Sequence, residues 1–451
     1  MRWWRLALVV GCVPVGGCTV LDRIGGLFTG SEGLPTKVQA FPVETRDVTW
    51  RGWSAIEQTN GLIRMRHVPA AGARTFSLEI SGDDAFLVFP NEQGKVYPAD
   101  SRDASVHFGG HYACIGPERT WSVNDQPFNP HGGQYRVARR TSELERHELR
   151  FTSRPDSWRG ATISMERRIT LQRGNTHVLV DETIVNRGTE PLECQLWDFT
   201  QIDAVDPRKA GRQLRRLSIY LPVPRANGRK QYTVFLDASP ATNAQFDESL
   251  PADVLAVHYA AQQFKIASHA AEWWIAAVDH DTGWTYVKAF DPQTRAGYVD
   301  KDGPVEVYGA NHDNPFSGSF VEMELLTGIE KCPRGKGITQ REHWYATTCK
   351  GPVVALTPAG VACERLSAHR ERAYVDVSGR YGVFYLGTAR LKAVDHQGEA
   401  LFASEPILVD PRKEFHLSAT VPAKEGGVTV VLEVLDYRGE VVGELDRAGI
   451  G

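Results

Sequence analysis

Several things are scarce or missing in this chain, and each absence closes off a class of function. Basic residues do not exceed acidic ones: 51 Lys and Arg stand against 55 Asp and Glu, a formal net charge of -4. With no basic field to hold a phosphate backbone, a nucleic-acid partner is not expected. No apolar run reaches the roughly 20 residues that a membrane-spanning helix requires. No C-x-x-C occurs, so a zinc ribbon or a thioredoxin-type site is not indicated. "RHELR" at His147 lacks the second His of a zincin helix. Nucleophile elbow, Walker loop and dinucleotide fingerprint are all missing, which argues against those hydrolase and nucleotide chemistries. Helical periodicity is nearly absent too, with "PADVLAVHYAAQQF" the single stretch of helix-like spacing.

What is present is β-structure. Segments such as "LIRMRHV", "TFSLEIS", "AFLVF", "ISMERRITLQ", "HVLVDETIVN", "LECQLWDFTQ", "EWWIAAVD" and "WTYVKAFD" alternate, or are rich in β-branched and aromatic residues. Turn clusters such as "QRGN", "NRGT", "RANGRK" and "DHDTG" separate them. At 451 residues, with 42 Gly and 25 Pro, the chain is an ordinary globular composition too long for one core. The composition shifts near "HWYATTCKGPVVALTPAG". From about residue 351, roughly seven shorter strands in about 100 residues predict an immunoglobulin-like or fibronectin-like sandwich.

The stretch "SFVEMELLTG" carries the chemistry. Read as a strand, it puts Val321, Met323 and Leu325 on one face and Phe320, Glu322 and Glu324 on the other. Two carboxylates side by side raise one another's pKa, which suits proton exchange near neutrality. The alternative is two acids on a solvent-washed sheet face. Trp121 follows Glu118 and Arg119 in a Gly- and Pro-flanked loop, where a large aromatic is harder to explain as core. Arg119 and Trp121 are therefore expected in a cleft, because sugars are bound by aromatic rings with polar groups on their hydroxyls. Asp-Gly turns in "DHDTG" and "DKDG" are commoner without an ion than with one, so neither a metal nor any other cofactor is expected.

The N-terminus, "MRWWRLALVVGCVPVGGCTV", has Arg2 and Arg5 before a short apolar run, as a signal peptide does. Val15-Gly16-Gly17-Cys18 resembles the lipobox of bacterial lipoproteins. The resemblance implies a signal peptide over residues 1–17, lipidation of Cys18, and a Gly-rich tether over 18–45. It also implies a cell-envelope location, on the outer membrane facing the periplasm, because Thr19 rather than Asp follows the Cys. The alternative is a plain secretory signal with an incidental Cys. Beyond Cys18, Cys114, Cys194, Cys332, Cys349 and Cys363 remain, an odd number that leaves at least one thiol free. Spacing does not choose between pairing Cys332 with Cys349 and Cys349 with Cys363.

Residues 46–350 resemble the galactose mutarotase-like supersandwich of the aldose 1-epimerase superfamily. The resemblance is carried by "TNGLIRMRHVPAAGARTFSLEISGDD", "HGGQYRV", "RRITLQRGNTHVLVDETIVNRGTEPLECQLW" and "VEVYGANHDNPFSGSFVEMELLTG". It implies an all-β fold, a large antiparallel supersandwich, followed over residues 351–451 by the second sandwich. It also implies a sugar cleft in which Glu322 is the base and His131 a sugar contact or acid. The family's second His is missing from "CQLWDFTQIDA", which offers Asp198 and Gln201 instead. His111, in "HFGGHY", is an alternative donor, and Glu324 joins the substrate-binding set. The reading is a carbohydrate-binding envelope lipoprotein with epimerase-like chemistry. Its rival is a non-catalytic envelope scaffold, with the partner of the second sandwich unidentified. A polysaccharide lyase or glycosidase needs a Tyr, His or carboxylate pair that the sequence does not place.

Overall fold

The computed structural model describes residues 38–451, apart from 100, 102–106, 119, 123–124, 143–144, 212, 237–243, 252, 291–296, 299–302 and 312–317. The segment proposed to be cleaved and lipidated at Cys18, and Arg119, lie outside the described residues. Strands dominate, and their pairs are antiparallel throughout. Two sheets of eleven strands each are built from residues 44–348.

The first sheet runs from Glu44–Trp50 through three hairpin-linked strands to Arg74–Ile80. It continues in the order His111–Gly116, Leu192–Asp203, Phe320–Leu326, Val305–Gly309, Phe264–Ser268 and Thr233–Leu236. The second includes Leu217–Pro222, Trp274–Asp279, Trp284–Phe290, Gly337–Thr348 and Val178–Asn186 as consecutive neighbours. The sheets face each other across one apolar core. Met323 and Leu325 from the first sheet and Ile219, Tyr286 and Trp344 from the second belong to the same cluster, each at most 1% exposed. The alternation read in "SFVEMELLTG" explains this directly, since Val321, Met323 and Leu325 all enter that core.

The final nine strands form two further sheets. Gly360–Glu371, Tyr374–Val383 and Phe415–Pro422 lie together, with Ala355–Thr357 at the edge. Gly387–Val394, Thr429–Asp436 and Val441–Gly449 form the other sheet, with Ala400–Ala403 and Ile407–Val409 beside Gly387–Val394. The chain crosses to the second of these sheets after Tyr374–Val383, returns for Phe415–Pro422 and crosses again, so the two sheets make a further β domain, a sandwich. The second sandwich packs against the outer face of the second large sheet. There Tyr345 stacks on Phe384 with ring centroids 4.3 Å apart, and Val361 and Cys363 join Val278 and Val287 in one cluster.

Two local expectations are corrected. Pro251–Phe264 is not a helix but a strand, Val254–His258, then a turn, then the start of Phe264–Ser268. Its apolar run serves two cores at once: Leu255 and Val257 face the main core, Val254 and Ala256 the domain junction. A run buried on both faces loses its alternation and imitates a helix. "AFLVF" forms isolated bridges, Phe86 to Ile202 and Val88 to Gly109, rather than a strand.

Leu325 has no exposed surface in the main core. Leu325→Ala is expected to lower the unfolding free energy by about 2–5 kcal/mol in urea titration. A change below about 1 kcal/mol would show that the inward face of this strand is misassigned.

Candidate functional site

Cross-strand register assembles the site on the outer face of the first sheet. Gln201 lies opposite Glu322, and Phe199 opposite Glu324. On the other flank Tyr308 lies opposite Glu322 and Glu306 opposite Glu324. One strand further out Lys265 faces Tyr308, and on the opposite side Tyr112 faces Phe199. Because side chains alternate, all of these share one face, away from the apolar core.

The polar contacts are dense. Gln201 Nε2 donates to Glu322 Oε1 at 2.6 Å. Trp197 Nε1 donates to Glu324 Oε2 at 2.7 Å. Lys265 Nζ lies 3.3 Å from Glu324, 3.2 Å from Glu306 and 3.4 Å from Glu118, and 5.0 Å above the Trp197 ring. Glu324 and Glu306 are buried, whereas Glu322 keeps part of its surface open.

These surroundings separate the two carboxyls. Burial raises Glu322 to about 8, reinforced by the Glu324 charge and opposed by the Gln201 hydrogen bond and Lys265. Burial also pushes Glu324 upward, but Lys265 and the Trp197 N–H act against it. Against the cost of its own burial, Lys265 is driven well above the usual lysine value by Glu324, Glu306 and Glu118. The arrangement holds an ammonium among anions beside a carboxyl group that gains and loses its proton near neutral pH.

His131 ends a short helical turn, Phe128–His131, on the same side of the sheet. Its ring meets Tyr112 edge-on at 5.4 Å, Arg74 lies 3.2 Å from its Nε2, and Cys114 Sγ 3.7 Å from its Nδ1. Arg74 can only donate, so Nε2 is the acceptor. Two strand spacings, about 10 Å, separate the Tyr112 strand from the Glu322 strand. His131 packs against the Tyr112 wall of the face.

His111 and Asp198 are set apart from the acid face. The alternation that sends Trp197, Phe199 and Gln201 outward sends Asp198 inward, and the same parity turns His111 inward. Both lie between the two large sheets. His111 bonds Glu182 at 3.1 Å and Thr200 at 3.0 Å, while Asp198 pairs with Lys288 and accepts from the Leu325 N–H at 2.7 Å. Arg167 donates to Glu182 at 2.5 Å. Burial lowers His111 to about 4, with Glu182 opposing it. Glu182 is held at about 2, against its burial, by Arg167 and His111. His111, Glu182 and Asp198 are spaced closely enough to hold a metal. The cations Arg167 and Lys288 already meet their charge, which leaves a self-neutralised core network.

Trp121 is also placed elsewhere. It is 3% exposed and packs in the main core, where its carbonyl accepts from Gln126 at 2.8 Å. Its loop does reach the acid face, but through Glu118. Of the residues expected in the site, the structure brings together Glu322, Glu324 and Gln201. Trp197, which "CQLWDFTQIDA" offers beside Asp198 and Gln201, joins them, and those not anticipated are Lys265, Glu306, Tyr112 and Tyr308. The same period-two reading of "CQLWDFTQ" and "VEVYG" orients Trp197, Gln201, Glu306 and Tyr308. Which strands become neighbours is not written in that period. A separate cavity of about 1100 Å³ lies at the second sandwich, lined by Phe41, Leu386, Leu408 and Phe415 among others.

No family model and no curated protein matches the sequence. Among solved structures the chain is similar in fold to a candidate aldose 1-epimerase from Klebsiella pneumoniae, at 12% identity and a TM-score of 0.47, covering 68% of this chain and 84% of that one. It is similar to a galactose mutarotase-like protein from Clostridium acetobutylicum, at 7% identity and a TM-score of 0.43, covering 68% of this chain and 99% of that one. It is also similar to a TPR-domain containing protein from Parabacteroides distasonis, at 10% identity and a TM-score of 0.42. That match covers 68% of this chain and spans 50% of the other's length. These likenesses concern the fold alone.

Glu322 gives a stability signature. Its folded value of about 8 lies above the ordinary 4.5, so the folded chain binds the proton more tightly than the unfolded chain. The resulting stability is complete below about pH 4.5 and is lost as pH rises through about 8. Glu322→Gln, neutral at every pH, is expected to melt above the wild type at pH 9 and level with it at pH 4.5 in scanning calorimetry. An equal offset at both pH values would contradict the assignment.

Proposed function

We propose that the outer face of the first sheet binds a carbohydrate and that Glu322 exchanges a proton with its anomeric hydroxyl. The observation that carries this reading is a largely buried, partly accessible carboxyl group with a value of about 8, fixed by Gln201 and neighboured by Glu324. Ionised, Glu322 takes the proton from the C1 hydroxyl while a solvent water gives a proton to the ring oxygen, leaving hydroxide, and the bond between C1 and the ring oxygen breaks. After rotation about the C1–C2 bond, ring closure on the other face returns both protons, and no atom is gained or lost. Trp197 and Tyr112, both buried, form the packed floor under the acids, and Tyr308, with its hydroxyl accepting from Gln263 at 3.1 Å, supplies a polar edge.

A scaffold reading competes, and one observation favours it: Lys265 neutralises Glu306 and Glu324 within the fold, as a purely structural cluster would be neutralised. Saturation-transfer NMR against a panel of monosaccharides separates the two. The sugar reading expects transfer to at least one aldose, with anomer exchange that accelerates up to about pH 8 and levels above it. Glu322→Gln is expected to slow that exchange by about 10²–10⁴-fold. No transfer to any sugar would leave the scaffold reading standing.

The envelope setting is proposed on the N-terminal segment alone. Cys18 would carry the lipid that holds the chain to the outer membrane, and both sandwiches would face the periplasm. In cell fractionation, Cys18→Ser is expected to move the protein from the membrane fraction to the soluble one. Retention in the membrane fraction would refute the anchor.

A further inference from the structure

Two cysteines meet where the sandwiches join. Cys349 follows directly on Gly337–Thr348, the last strand of the large sheets, and Cys363 lies in Gly360–Glu371 of the second sandwich. Both belong to the apolar cluster that unites the two units, and they are 0% and 2% exposed. Cys349 is held on its own side: its N–H donates to Gly283 at 2.8 Å, and its Sγ lies 3.4 Å from Thr285 Oγ1. Cys363 sits at a register shift, since Ala362 pairs with Tyr381 and Glu364 with Arg380, leaving Cys363 as the extra residue. Such a bulge re-aims one side chain. Here the re-aimed side chain enters the cluster that holds Cys349, where both are free thiols and each shifts the other's ionisation.

The rival pairing of Cys332 with Cys349 fails on distance. Cys332 lies just before the start of the 12-residue strand Gly337–Thr348 and Cys349 just past its end. A strand of that length runs roughly 40 Å. Two bridged Cα atoms sit about 4.4–6.8 Å apart.

We infer that Cys349 and Cys363 form a disulfide that clamps the second sandwich to the large sheets when the chain folds in an oxidising compartment. The oxidant is a disulfide donor, either a thiol oxidoreductase or oxidised glutathione. The Cys349 thiolate attacks a donor sulfur and releases one donor thiol. Cys363 then attacks the Cys349 sulfur of the mixed disulfide and releases the second. The protein loses two electrons and two protons, and the donor takes up both. Cys349 is the first nucleophile, because the Cys363 thiol and Thr285 hydroxyl lower its pKa while Cys363 is raised. Both sulfurs are sealed in the finished fold, so the exchange precedes closure of the junction.

The test uses the whole chain refolded in a buffer of oxidised and reduced glutathione. Free thiols are then blocked after denaturation, and the protein is digested without reductant for mass spectrometry. A peptide pair joining Cys349 to Cys363, with Cys114 alkylated, is the expected result. Reduction is expected to lower the melting temperature by about 5 °C or more, an effect that Cys363→Ser removes. Alkylation of both Cys349 and Cys363, or linkage of either to another cysteine, would overturn the proposal. So would a linked protein whose melting temperature does not respond to reduction. If Cys363→Ser does not fold, the wild-type peptide map and its reductant response decide the matter alone.

Discussion

Everything distinctive in this molecule depends on burying charge against a β-sheet without losing the sheet. An unpaired buried carboxylate costs several kcal/mol, enough to erase a large share of a domain's net stability. The acid face meets that constraint with one lysine. Lys265 reaches Glu324, Glu306 and Glu118 while its ammonium lies over Trp197, so one cation serves three anions and an aromatic face. Glu322 is the carboxyl left over. With Gln201 as its direct partner and no ion pair to a cation among the described residues, it meets the constraint by holding a proton up to about pH 8. The raised titration of Glu322 thus follows from the way its neighbours are neutralised.

The strand Leu192–Asp203 shows how closely two such solutions can lie. Its odd positions from Trp197 to Gln201 serve the acid face, while Asp198 and Thr200 serve the network between the sheets. The inner network contains His111, Glu182, Asp198, Arg167, Lys288 and Glu342, all buried, with only Arg167 retaining a trace of exposed surface. Removing one cation there leaves an unpaired charge in a medium of low dielectric constant, so the network fixes the register of the facing sheets more than it adds stability. The apolar core around it, to which Met323 and Leu325 belong, supplies the burial that offsets it.

Period-two alternation was enough to read the all-β class, the two acids on one face, and the second sandwich beyond residue 351. It failed where the period is hidden or where pairing decides the outcome. Val254–His258 is apolar on both faces because each face meets a different core, so its pattern is no longer that of a half-buried strand. His111 looked like a cleft donor because a Gly-Gly turn precedes it, yet one residue of parity turns it inward toward Glu182. Trp121 looked too irregularly placed for a core residue, and the core nonetheless closes over it. Lys265 lies more than fifty residues before Glu322 in the chain, and only the strand order puts it two strands away.

The same argument bears on which group does chemistry. Charge satisfied inside the fold is unavailable to a ligand, and this removes Asp198, Glu182 and His111 from consideration despite their ligand-like spacing. It also ranks the acid face. Glu324 and Glu306 are committed to Lys265, whereas Glu322 is the carboxyl with an open edge and an ionisation state that neutral pH leaves undecided. On the proposed reading, a ligand approaching that face would meet one proton-exchanging group, with Glu324 and Glu306 held by Lys265 beside it.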